Sequence, residues 1–171
     1  MTSAPTLKQV AAGDLAHELA TTRRVLERVP EEHLSWKPHE KSMSLAELAG
    51  HLANLLFWQR SIIEDDFYDL AANPTPPAPP ATRDELLRTF DVNRETLLAA
   101  FDRLEDADLS RPWSLRQGER VIFSQPRSVV LRSFGINHMV HHRGQMSVYL
   151  RLLDVPVPAI YGPSADEASP S

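Results

Sequence analysis

Apolar positions recur along most of this chain at the three-to-four-residue spacing of amphipathic helices. From Thr6 to Arg28, the positions Leu7, Val10, Ala11, Leu15, Leu19, Val25 and Leu26 share one side; Val29 follows, and Pro30 is the stop. A second helix is expected from the capping-box pattern Ser44-Leu-Ala-Glu47 to about Asp69, with Leu45, Leu48, His51, Leu52, Leu55, Trp58, Ile62 and Phe67 on its apolar face. A third opens on Thr82-Arg-Asp-Glu85 and runs to about Leu104 through Leu86, Leu87, Phe90, Leu97, Leu98 and Phe101. The fourth spans about Arg127 to Leu153.

The connections differ in kind. Pro38 interrupts any helix between the first two, and Leu34 and Trp36 are expected to tuck onto the bundle. Asn73 to Ala81 holds five prolines in nine residues, which favours an extended crossing. A connection of that length lets helices two and three run parallel, where a short loop would force an antiparallel hairpin. Between helices three and four, Arg111 to Pro126 reads as a small two-stranded hairpin turning at Gln117-Gly118. The expected fold class is therefore all-α: a four-helix bundle with a long crossover after helix two and a small hairpin before helix four. One domain is expected over residues 1–165, with 166–171 as a disordered tail.

Composition narrows the function classes. With 171 residues, 42% hydrophobic and 24% charged, the chain is long enough for a real core. A net charge of −5 without any Lys/Arg block speaks against a nucleic-acid face. No apolar run approaches the roughly 20 residues that span a bilayer. The first residues lack a signal pattern, so a cytoplasmic location is expected. The absence of cysteine removes disulfides, thiolate ligands and a cysteine nucleophile together.

The candidate chemistry lies in histidines. Asn137 to Arg151, NHMVHHRGQMSVYLR, carries three of the seven. His138 and His142, at i and i+4, project from nearly one face; His141 lies well round the cylinder from both. A third ligand is needed, and His51 sits on the inward face of helix two. Alone, such a histidine is more often a hydrogen-bonded core residue; beside a histidine pair on another inward-facing helix it becomes a ligand candidate. Gly144 interrupts the fourth helix, which predicts a close backbone approach there. His141 is read as a packing residue or proton shuttle, and Arg143 as one half of a structural ion pair or a holder of an anionic substrate. Asn137, Gln145 and Tyr149 are candidates for lining the cavity or supporting a ligand ring. Phe57 and Trp58 are expected in the core, and His17, His33 and His39 at the surface. Tyr161-Gly162-Pro163 reads as a turn closing one end of the bundle, or as a lid.

The stretches SLAELAGHLANLLFWQRSII, NHMVHHRGQMSVYLRLLDVPVP and YGPSADE resemble the DinB-like (DinB/YfiT) superfamily of metal-binding four-helix bundles, and the likeness extends over essentially the whole chain. The resemblance implies a metal triad of His51, His138 and His142, and a homodimer. Among characterised relatives it implies thiol-dependent enzymes such as bacillithiol or mycothiol S-transferases and maleylpyruvate isomerase.

Three neutral imidazoles leave a divalent ion with an open position, the pattern of catalytic rather than structural zinc. Zinc is the expected ion, with Ni²⁺, Fe²⁺ or Cu²⁺ compatible with the same donors. Such an ion depresses the pKa of a bound thiol. Lacking cysteine, the protein would draw that thiol from outside as bacillithiol, mycothiol or glutathione. The expected function is a metal-dependent transferase joining a low-molecular-weight thiol to an electrophile. The alternatives are a non-catalytic, stress-induced metal-binding protein and a metal-dependent hydrolase, the latter weakened because the motif is HMVHH and not HExxH.

Overall fold

Helix α1 (Leu7–Leu26) begins on Thr6, whose side chain accepts from the Gln9 amide while the Gln9 side chain accepts from the Thr6 amide. Helix α2 (Leu45–Glu64) begins the same way on Ser44 and Glu47. In α3 (Arg83–Arg103) only half of the expected box forms: Thr82 accepts from Glu85, but the Glu85 carboxylate takes the Ala81 amide. Each contact satisfies an amide that the first helical turn leaves without a partner. The structure is a computed structural model that describes residues 6–72 and 77–168.

The fourth helix of the bundle has three parts. A short turn α4 (Arg127–Val130) widens into a π-helical segment (Leu131–Asn137), which continues into α5 (His138–Leu152); the backbone stays right-handed helical across both joints. The inserted residue stretches the spacing of buried positions to five, from Val130 to Gly135.

Side-chain pairings give the helix directions. Asn93 bonds the Ala53 carbonyl and Arg103 pairs with Glu64, so α2 and α3 run parallel, as the long crossover predicts. His51 meets His138 and His142 while Gln59 lies on Gly135, so α2 and the fourth helix are antiparallel. Helices α1 and α2 each pack on α3 and α5. Leu19, Leu26, Leu48, Leu52, Phe90, Met139 and Met146 form the shared core. Among the described residues, no helix is long and apolar enough to cross a membrane.

The all-α expectation needs correction. A three-stranded mixed sheet, order β1-β2-β3, stands at one end of the bundle. Strands β2 (Pro112–Gln117) and β3 (Arg120–Pro126) are the expected hairpin, with Gly118 at φ 61° in its turn and a register irregularity between Leu115 and Arg116. The unexpected strand is β1 (Phe67–Asp69), parallel to β2 with Phe67 opposite Ser114. Helix α2 therefore ends at Glu64, earlier than its apolar pattern suggests. The run Glu64-Asp65-Asp66 places carboxylates at the negative end of the helix dipole. Beyond it the backbone finds partners in β2 instead, and Arg127 bonds both the Asp65 carbonyl and the Asp66 carboxylate. The sheet roofs a second small core of Ile62, Trp113, Leu115 and Val130.

Three smaller expectations also change. Phe57 is 41% exposed and lies under Arg60 rather than in the core, whereas Trp58 is partly buried against Tyr68. Val10 is exposed as well. Gly144 is not a close-approach position: a Cβ there would meet nothing within 4 Å. Gly144→Ala should accordingly stabilise the protein by about 0.5–1 kcal/mol, by removing backbone freedom from the unfolded chain. Urea unfolding checks this; a lowered midpoint would reveal a contact at that position.

Of the crossover, 73–76 lie outside the described residues, and 77–80 form neither helix nor strand. Gly50 lets this segment lie on α2, since a Cβ there would come within 2.8 Å of Pro80 Cδ. The tail expectation for 166–171 falls partly outside the described residues too. Within them, Asp166 bonds Arg151 and the Val157 amide, and Glu167 bonds Arg28 and the Ala159 amide.

Candidate metal centre

His51 stands on the face of α2 that turns toward α5, and His138 and His142 answer it from successive turns of α5. The Nε2 atoms of His51 and His138 are 3.4 Å apart, and those of His138 and His142 are 2.8 Å apart. One ligand nitrogen from each ring lies within 4.8 Å of the other two, and all three residues are partly buried. A tetrahedral ion with bonds of 2.0–2.1 Å separates its ligand nitrogens by about 3.3 Å, so the spacing suits such an ion. The 2.8 Å pair is tighter than that.

The surroundings keep these rings neutral. Burial lowers the pKa of His51 to about 4, with the neighbouring His142 and His138 adding to the effect. Burial also lowers His138, against which the Phe134 carbonyl works, and lowers His142, opposed by Gln145. Neutral imidazole is the form that ligates a metal. Gln145 Oε1 lies 2.7 Å from His142 Nδ1, so it accepts from Nδ1–H and leaves the Nε2 lone pair free to coordinate. His138 Nδ1 is buried and, among the described residues, has no partner at hydrogen-bonding geometry. Convergence, neutrality and the fixed tautomer of His142 all fit a divalent ion held by these three residues.

The same shifts have a sign in stability. Each ring titrates lower when folded than when unfolded, so between its two pKa values the unfolded chain binds more protons. For His51 the stabilising contribution is complete above about pH 6.5 and is lost as pH falls toward about 4; His138 and His142 act in the same direction. Metal-free protein should show a falling urea midpoint through that window, and His51→Gln should flatten the slope. A wild-type midpoint unchanged between pH 7 and 4.5 would mean that the rings are not desolvated.

The other anticipated residues fall in different places. His141 is exposed, its ring 4.9 Å from that of His142. Asn137 is exposed where the π segment meets α5. Tyr149 donates to the Met43 carbonyl and meets Trp36 edge-on, so it fastens the connection before α2. Arg143 turns away from the triad onto α1, where it pairs with Glu18 at 2.6 Å, donates to the Glu18 carbonyl and the Thr22 hydroxyl, and touches Tyr161. Tyr161 thereby docks the tail on α1. His17, His33 and His39 are exposed.

A cleft of about 460 Å³ opens beside His51, with Lys37, Lys41, Met43, Glu47, Asn54 and Pro79 among its walls. The periodic pattern assigned none of these to the site. Glu47 and Asn54 were legible on α2 at i−4 and i+3 from His51; the others come from irregular segments whose course local sequence does not define. Glu47 is committed elsewhere: it accepts from the Ser44 amide, which holds its carboxyl below the usual carboxylate range, and lies 3.6 Å from Lys37.

A bundle with parallel second and third helices brings three histidines together in a group that could hold a metal ion, and comparison with known proteins gives its family. The DinB family model matches residues 12–170, and the chain belongs to the DinB family. Uncharacterized protein YjoA of Bacillus subtilis (strain 168) is 26% identical over 145 residues, covering 84% of this chain and 88% of YjoA. Among solved structures, a DinB-like protein from Bacillus cereus ATCC 10987 superposes with a TM-score of 0.68 at 22% identity, covering 88% of this chain and 95% of that one. The structure of YjoA itself gives a TM-score of 0.65 at 21% identity, covering 86% and 95%. At these identities the structural likeness speaks for the fold.

Proposed function

We propose that His51, His138 and His142 hold a divalent ion, zinc by the chemistry of the donors, and that the protein is a transferase joining a low-molecular-weight thiol to an electrophile. The observation that carries this reading is the convergence of three neutral imidazole nitrogens beside an open cleft. When bound, the ion supplies a Lewis-acid centre that favours the thiolate form of a ligand thiol. The chain's own part is binding and orientation. Gln145 fixes the His142 ring, Tyr149 fixes the Met43 edge of the cleft, and Lys37 and Lys41 offer cations to an anionic thiol such as bacillithiol, mycothiol or glutathione. A homodimer in the cytoplasm is part of the proposal.

The hydrolytic alternative has weaker support, because Glu47, the acidic wall residue nearest in sequence to His51, is held by the Ser44 amide and by Lys37, both on its Oε2. The test is conjugation of each of the three thiols to monochlorobimane by zinc-loaded protein. Metal-dependent turnover with one thiol, lost in His51→Ala, is expected. Tight metal binding with no turnover on any thiol would give the site to a non-catalytic, stress-induced metal-binding protein.

A further inference from the structure

A second cavity, of about 300 Å³, lies where α1, the later turns of α2 and α3, and the π-helical segment meet; Val10, Leu15, Leu97, Phe101, Leu131 and Ile136 supply its apolar walls. It is separate from the triad: Gln59, on its wall, stands eight residues beyond His51 on α2, about 12 Å along the helix axis. Its volume falls at the small end of ligand sites, about 300–1,000 Å³.

Gln59 makes the cavity more than a packing gap. The side chain is 1% exposed, and its Nε2 has no hydrogen-bond partner among the described residues. A buried amide donor left unpaired costs about 1–3 kcal/mol, so a wall that carries one is built for an acceptor. The room for it comes from the π segment, where a Cβ on Gly135 would lie 3.0 Å from Gln59 Cγ. Charge at the rim is already balanced, because Arg132 of the π segment pairs with Asp14 of α1 at 2.7 Å. An ionic ligand would have to displace one of these partners; a neutral one would not.

We infer that this cavity binds a small, neutral, largely apolar molecule through one hydrogen-bond acceptor, such as a carbonyl oxygen, which takes the free N–H of Gln59. The inference is independent of the triad, and its test requires no metal.

The probe is 2-octanone, compared with 2-methyl-1-octene, in which a methylene replaces the carbonyl oxygen. Binding to the full chain is followed in ¹H–¹⁵N and methyl NMR spectra. The expected result is saturable shifts at the Gln59 side-chain amide and at Leu131 and Ile136, with the ketone bound about tenfold more tightly than the alkene. Gln59→Leu should abolish that preference while keeping the alkene affinity, and Ala11→Phe, which fills the cavity, should abolish both. Absence of shifts in the wild type, shifts centred elsewhere, equal affinity for the two probes, or a ketone preference surviving Gln59→Leu would each overturn the inference. Gln59→Leu removes a buried polar group and creates no void, so it decides the matter even if Ala11→Phe fails to fold.

Discussion

Replacing His51, His138 or His142 by alanine should each weaken divalent-metal binding more than about a hundredfold, since even a residue supporting a ligand contributes about 10–100-fold. Each ring supplies one of three nitrogens, and two neutral nitrogens on an open cleft hold zinc poorly. The bundle itself should stay folded, because its core is built from leucines, phenylalanine and methionines that do not depend on these rings. Elemental analysis after zinc equilibration and desalting, with far-ultraviolet circular dichroism on the same samples, measures both halves. Gln145→Ala should fall between wild type and the ligand variants, because it frees the His142 ring without removing a donor. Stoichiometric zinc in all three alanine variants would remove the site.

Arg143→Met should destabilise the protein by about 3–5 kcal/mol without first changing its affinity for zinc. Arg143 is 1% exposed, and its loss strands the buried Glu18 carboxylate. For a chain of this size that is a fall of about 6–20 °C in Tm. The double variant Arg143→Met/Glu18→Leu should recover most of the loss, because it buries no unpaired charge. Thermal unfolding of the two variants reads the difference. A double variant no more stable than the single, or a single variant with normal Tm and weakened zinc binding, would place Arg143 in the metal centre instead.

Arg143, read from the sequence as one half of a structural ion pair, is that in the structure, but its partner Glu18 lies 125 residues away and only the fold names it. One residue along a helix is about 100° of rotation, which turns the Arg143 guanidinium from α2 toward α1. Gly144 is the position that misleads: its conformational freedom is evident in the sequence, but the space around it is set by what packs opposite, and no described residue comes within 4 Å of a Cβ there.

The sequence by itself determined what depends on neighbours within a few residues. Helix starts at Ser44 and Thr82, the stop near Pro30, the Gly118 turn, the parallel course of α2 and α3 across a proline-rich crossing, and the shared face of His138 and His142 all follow from caps, propensities and a period of 3.6 residues. Only the tertiary structure decided what depends on separation in sequence. The pairing of β1 with β2 joins residues 47 positions apart, Phe67 with Ser114. The meeting of His51 with His138 spans 87. The room for Gln59 beside Gly135 rests on the widened turn and on α2 packing against it, 76 residues away in sequence. Local rules fix each helix's apolar face, but which faces meet, and at what rotation, is fixed by packing the whole core at once.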